Sequence, residues 1–207
     1  MASELFNLAG KTAMVTGGTR GIGQAMAIGL AEAGADIILI QRASSSSTAT
    51  KDAIEALGRR CHTFHCDMTD RAALAALVPA VTAAHRVDIL VNVAGILKRM
   101  PAVDCPLDTY DDIMQTNLTA TFQLCQAVGR YWLANGMRGK IVNTASLTTF
   151  IGSVNLVAYA MSKGGVGQLT KALSNEWAAK GINVNAVAPG WAFPPVSFYF
   201  CNGRVLC

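Results

Sequence analysis

The chain has 207 residues, 52% hydrophobic and 14% charged, with a formal net charge of +4. That length fits one α/β domain with a large core, and so lean a surface suits a fold covered on many faces or an oligomer. Positive charge is spread out, with no basic run beyond Arg59-Arg60. This argues against a nucleic-acid partner, and no apolar stretch reaches membrane-spanning length.

From Lys11 onward, strand and helix alternate. KTAMVT (11–16) reads as a strand and Ile22 to Ala33 as a helix. DIILIQ (36–41) is a second strand whose near-continuous apolar run fits burial on both faces. A serine-rich linker (44–47) leads to a helix ending near Leu57, then to a strand at 61–66. Helix 70–84, strand 87–92, a helical region over 107–134 with one break, strand 139–146, helix 157–179 and strand 181–189 follow. Such alternation calls for a parallel sheet with helices on both sides. The start, MASELFNLAGK, lacks a basic segment followed by an apolar run, so a cytoplasmic setting is expected. Cysteines 61, 66, 105, 125, 201 and 207 have no CxxC pair, which suits reduced thiols. In CHTFHC (61–66) strand alternation sends Cys61 and His65 one way, His62 and Cys66 the other. No metal site is expected there.

The stretch TGGTRGIG (16–23) joins the first strand to the first helix. Gly17, Gly21 and Gly23 have GxxxGxG spacing, a relative of the dinucleotide fingerprint GxGxxG. Glycine admits positive φ and lets a pyrophosphate approach without meeting a Cβ. The following helix turns its free N–H groups and positive end toward that anion. At the end of the second strand, an acidic residue would receive the 2′-hydroxyl of NAD. Here stand Gln41 and Arg42, with Arg20 in the glycine loop. Two guanidinium groups suit a 2′-phosphate, so NADP(H) is favoured over NAD(H). The plainer alternative is that both arginines only face solvent.

AYAMSKGG (158–165) sets Tyr159 and Lys163 four residues apart, on one face of a helix. A positive charge beside a phenol favours loss of its proton, which makes a proton donor and acceptor. Most such pairs are merely two polar residues on a wet helix face.

In order and spacing, TGGTRGIG, CDMTD (66–70), NVAG (92–95), Asn117, Ser146, YAMSK (159–163) and APG (188–190) resemble the classical short-chain dehydrogenases/reductases. The resemblance runs from residue 5 to about 190. It implies a Rossmann-like doubly wound parallel sheet and NAD(P)-dependent exchange between an alcohol and a ketone. It also implies a small hydroxy or keto substrate and a homo-oligomer, dimer or tetramer. Carried onto this chain, it makes Asn117, Ser146, Tyr159 and Lys163 the catalytic four. Ser146 would hydrogen-bond the substrate oxygen, Lys163 would also hold the nicotinamide ribose, and Asn117 would link the lysine through water to solvent. Cofactor contacts would come from Gly17, Thr19, Arg20, Gly21, Ile22 and Gly23, and from Gln41 and Arg42. Asp67 and Met68 would meet the adenine, Asn92, Ala94 and Gly95 the adenosine ribose, and Pro189 and Gly190 would complete the set. No metal is implied. Val93 departs from the family's usual second Asn, with an expected local cost to sheet hydrogen bonding. LFNLAGK and NEWAAKGINVNAVAPG look most like the 2-deoxy-gluconate and 2-dehydro-3-deoxy-gluconate dehydrogenases, and Lys98 and Arg99 stand either where a carboxylate would be met or simply as a solvated loop pair.

After Gly190 the pattern stops. WAFPPVSFYFCNGRVLC (191–207) holds five of the chain's 14 aromatics and one charged residue, Arg204. The family's substrate-covering segment, its seventh strand and its Thr after PG are not recognisable, and Pro194 stands near that Thr's place. The division expected is a dinucleotide-binding domain over 1–190 with six recognisable strands, and an atypical tail over 191–207. Two readings remain: an active oxidoreductase, or a catalytically impaired dinucleotide-binding protein lacking the substrate lid.

Overall fold

The computed structural model describes residues 6–190. Strands β1 (Thr12–Thr16), β2 (Asp36–Gln41), β3 (Cys61–His65), β4 (Ile89–Asn92), β5 (Gly139–Thr144) and β6 (Ile182–Val187) form one sheet. Its order is β3-β2-β1-β4-β5-β6, and every pairing is parallel. Helices α1 (Gly21–Glu32), α2 (Ala49–Ala56), α3 (Arg71–Thr82), α4 (Leu107–Met114), α5 (Ala120–Ala134) and α6 (Val157–Trp177) make the connections. The chain starts at the centre, winds outward through β3, and returns to continue from β4. That reversal opens a crevice between the carboxyl ends of β1 and β4.

Period-two alternation explains the unbroken apolar strands, because each strand feeds two cores. Ala13, Val15, Ile37 and Leu39 pack with Ala27 and Ala31 of α1 and Ile54 of α2. Met14, Ile38, Ile40, Leu90 and Ile141 face the other way, onto α3, α5 and α6. Trp132 is fully buried there, and its Nε1 donates to the Val87 carbonyl at 2.7 Å. That use of Val87 helps explain why β4 begins at Ile89, two residues later than the sequence suggests. Asp70 caps α3 by accepting from the N–H groups of Ala72 and Ala73, both at 2.9 Å.

Two buried carboxylates fasten the amino ends of the strands. Burial alone would raise the Asp36 carboxyl, but the Arg60 N–H and the Arg60 and Arg59 guanidinium groups outweigh it and hold it below its usual range. Asp88 accepts from the N–H of Thr12 at 3.2 Å and pairs with Arg86 at 2.9 Å. A third polar element crosses the middle of the sheet. Asn92 Nδ2 donates to Asn143 Oδ1 at 2.9 Å, and Asn143 Nδ2 donates to Thr170 Oγ1 of α6 at 3.0 Å.

Cys61, Cys66 and Cys125 are buried free thiols; burial pushes Cys125 up to about 12. Among the described residues, no three or more of His, Cys, Asp and Glu gather as for a metal ion, and no helix is long and apolar enough to cross a membrane. The 191–207 tail lies outside the described residues.

Candidate active site

The site is built from loops at the carboxyl ends of the strands. Thr16 closes β1, and its Oγ1 accepts the N–H groups of Val93 (3.1 Å) and Ala94 (3.2 Å). One hydroxyl thus ties the glycine loop to the loop after β4. Gly17 follows at φ +67°, and a Cβ there would lie 2.8 Å from the Ala94 nitrogen. Only glycine allows this approach. Val93 packs on the α1 layer and keeps its N–H bonded, so the backbone hydrogen bond is intact where a cost was expected.

Helix α1 starts at Gly21 with no side-chain cap and no acidic residue in its first turn. Gly21 has φ +56°, and a Cβ on it would meet nothing within 4 Å. A Cβ on Gly23 would strike the Gly17 carbonyl, so the helix packs directly on the loop. Thr19 and Ile22 are half-buried beside it. An uncapped helix start behind open glycine fits the pyrophosphate of a dinucleotide.

Arg20 and Arg42 are exposed at the rim. The N–H and hydroxyl of Thr69, at 2.9 and 2.8 Å, hold the Asp67 carboxyl below its usual range against the opposing effect of burial, and Arg42 lowers it further. Met68 is 8% exposed and packs in the core, so little of it is open to an adenine. The Asn92 side chain turns into the interior, donating to Asn143 and to Cys125 Sγ (3.4 Å), because β4 is covered by α5 on that face. In that stretch Gly95 is exposed, while Ala94 is half-buried against the core.

A hollow of about 300 Å³ adjoins Gln41, lined also by Ser45, Ser47, Lys51 and His65. Gln41 Nε2 donates to the Ser45 carbonyl at 3.4 Å. The serine run reads in sequence only as a linker, and nothing in its composition says it folds back onto the end of β2.

The four residues expected to be catalytic converge. Asn117 lies in a single π turn, Gln115–Thr119, between α4 and α5. Its Oδ1 accepts from Ile96 N–H at 2.8 Å; its Nδ2 donates to the Ile96 carbonyl (2.9 Å) and to Ser162 Oγ (3.0 Å). The amide therefore clamps the loop after Gly95 to α6. A Cβ on Gly95 would lie 3.2 Å from Asn117 Oδ1 and 3.7 Å from Lys163 Nζ, so these groups share one corner. Lys163 is 5% exposed and donates to the Thr144 carbonyl at 2.6 Å. Burial pulls its pKa down to about 8. Its Nζ lies 5.8 Å from the centre of the Tyr159 ring, and Tyr159 is half-buried. Ser146 starts a short turn after β5, and its Oγ accepts the Thr148 N–H at 3.2 Å. The N–H of Leu147 donates to the Pro189 carbonyl at 3.0 Å, which draws the loop after β6 alongside. A Cβ on Gly190 would meet nothing within 4 Å. Lys98 is partly engaged, pairing with Asp112 at 3.6 Å.

Residues 11–196 match the family described as short chain dehydrogenase. The chain is 47% identical to the 2-dehydro-3-deoxy-D-gluconate 5-dehydrogenase of Pseudoalteromonas atlantica over 190 residues, 91% of this chain and 74% of that protein. A gluconate 5-dehydrogenase from Burkholderia cenocepacia, crystallised with NADP and tartrate, is similar with TM-score 0.84 and 36% identity, over 90% of this chain and 73% of that one. Carveol dehydrogenase from Mycobacterium avium, in complex with NAD, gives TM-score 0.80 and 32% identity over 88% and 71%.

Proposed function

The chain belongs to the short-chain dehydrogenase family, and on that premise we propose that it is an NAD(P)-dependent oxidoreductase interconverting a secondary alcohol and a ketone on a sugar acid. One observation carries the chemistry: the Lys163 ammonium is buried in the same corner as Tyr159, beside Gly95 in the loop after β4. A bound nicotinamide dinucleotide supplies or accepts the hydride. Residues 17–23 and the start of α1 would hold its pyrophosphate, and Ala94 and Gly95 would border the adenosine ribose. In oxidation the hydrogen on the alcohol carbon would leave with the C–H bonding pair to the nicotinamide, while the O–H proton passes to the Tyr159 oxygen. In reduction Tyr159 returns that proton to the carbonyl oxygen. Ser146 donates its hydroxyl to the same oxygen. That proton is available because Oγ uses a lone pair, not its O–H, in the bond with Thr148. Lys163, with its ammonium beside the Tyr159 ring, would hold the nicotinamide ribose.

We assign NADP(H) as the preferred cofactor, because Arg42 directly follows β2 and Arg20 stands exposed in the glycine loop, while Gln41 brings no negative charge. Isothermal titration is expected to give tighter binding of NADP(H) by roughly tenfold, the worth of a charge-assisted hydrogen bond. Gln41→Asp should reverse that order through repulsion. Tighter NAD(H) binding by the parent would refute the role given to Arg42. The substrate class rests on relatives acting on gluconate derivatives. It is tested by turnover of hydroxy and keto sugar acids beside simple ketones and secondary alcohols, with both cofactors. Turnover confined to the simple compounds would remove the sugar-acid reading.

A further inference from the structure

One hydroxyl joins the turn that carries Ser146 to the helix that carries Lys163. Thr149 Oγ1 accepts the N–H of Ser146 at 3.2 Å and donates to the Lys163 carbonyl at 2.9 Å. The Thr149 N–H also returns to the Ser146 carbonyl at 2.9 Å, closing the turn from its other side. The turn itself, Leu147–Thr149, is only three residues long. It has no ladder of its own to fix it against α6, whereas the Lys163 carbonyl is part of a 21-residue helix. The helix is the rigid partner, and Ser146 is the group whose place depends on the link.

The helix is shaped to receive Thr149. Gly167 lies one turn beyond Lys163, and a Cβ on it would sit 2.5 Å from Thr149 Cγ2 but 3.9 Å from Thr149 Cβ. The collision therefore involves the threonine methyl alone. Glycine at 167 is the room that lets Thr149 lie close enough to bridge.

We propose that Thr149 is a positioning residue for the reaction, its hydroxyl setting Ser146 at a fixed distance from α6, with Gly167 as the clearance it requires. This rests on the reading of Ser146, Tyr159 and Lys163 as the reacting groups. Reacting groups displaced by about 1 Å lose roughly a hundredfold in rate, and a support that shifts by that much is enough.

Four variants test it: Thr149→Val, Thr149→Ser, Gly167→Ala, and the double variant Thr149→Ser/Gly167→Ala. Each is read by kcat, by NADPH binding through fluorescence, by melting temperature and by hydrogen exchange at the Ser146 amide. Thr149→Val keeps the shape and loses the hydroxyl. Its kcat should fall roughly 30- to 100-fold, with NADPH affinity nearly unchanged and faster exchange at Ser146. Thr149→Ser keeps the hydroxyl and should stay close to the parent. Gly167→Ala should lower kcat although alanine is the better helix former. The double variant lacks the clashing methyl and should recover most of that loss. Unchanged Ser146 exchange in Thr149→Val, or a double variant no better than Gly167→Ala, overturns the proposal. The exchange measurement decides even if turnover is too slow to compare. Parental turnover in Ser146→Ala would instead unseat the reading of the reacting groups and leave the hydrogen-bond result standing.

Discussion

Tyr159→Phe is expected to lower turnover by about a thousandfold, within the range typical of a lost general acid–base group, while NADPH affinity stays near that of the parent. Only the phenolic oxygen is removed, and the ring remains half-buried on α6. The loss should fall on kcat, because proton transfer to and from the substrate oxygen occurs in the chemical step. Substrate-free protein should melt at nearly the same temperature as the parent. Turnover within tenfold of the parent would exclude Tyr159 as the proton-transfer group.

Lys163→Met should abolish turnover and yet stabilise the cofactor-free protein. Lys163 is 5% exposed, and its charge is met by the Thr144 carbonyl rather than by a carboxylate. Burial lowers its pKa from 10.5 to about 8. At pH 7 the folded protein thus carries a buried charge that lowers its stability by about 3 kcal/mol relative to a lysine with an unshifted pKa. Between about pH 8 and 10.5 the unfolded chain holds this proton and the folded one does not. Stability of the parent should therefore gain a rising contribution through that window, on top of whatever other groups add. Methionine fills similar volume with no charge. After allowing for the lost bond to Thr144, a net gain of about 1–2 kcal/mol is expected at pH 7, a few degrees in melting temperature. The gap should narrow toward pH 10. A lower melting temperature for Lys163→Met at pH 7 would contradict this account. Its cofactor affinity should fall as well, which separates it from Tyr159→Phe.

The sequence made the sheet legible because each strand is a short apolar run, and the glycine loop because positive φ leaves glycine few substitutes. Tyr159 and Lys163 were legible because helical spacing puts them on one face and the motifs around them resemble those of a known family. Other parts had no such signal. The π turn that presents Asn117 has no residue code, since a single i→i+5 turn is an interruption in an ordinary helical pattern. The inward turn of Asn92 depends on which helix covers β4, a tertiary fact. Thr149 and Lys163 are 14 residues apart, at a spacing no local periodicity produces. The hollow beside Gln41 comes from a serine linker folding back, and serines mark a loop without giving its path.

The paired asparagines in the middle of the sheet bear on how the chain finds its alignment. Strand β4 (ILVN) is otherwise aliphatic, and β5 (GKIVNT) meets it through Ile141 and Val142, residues that would pack tolerably in more than one offset. Asn92 and Asn143 are opposite one another in the native pairing, and their amides bond there. A slip of one residue sends one amide to the far face and leaves both buried without each other. A buried amide group that loses its partner costs about 1–3 kcal/mol. The pair therefore selects the correct alignment of the two strands by penalising the wrong ones, and so decides where Ser146, three residues past Asn143, comes to stand.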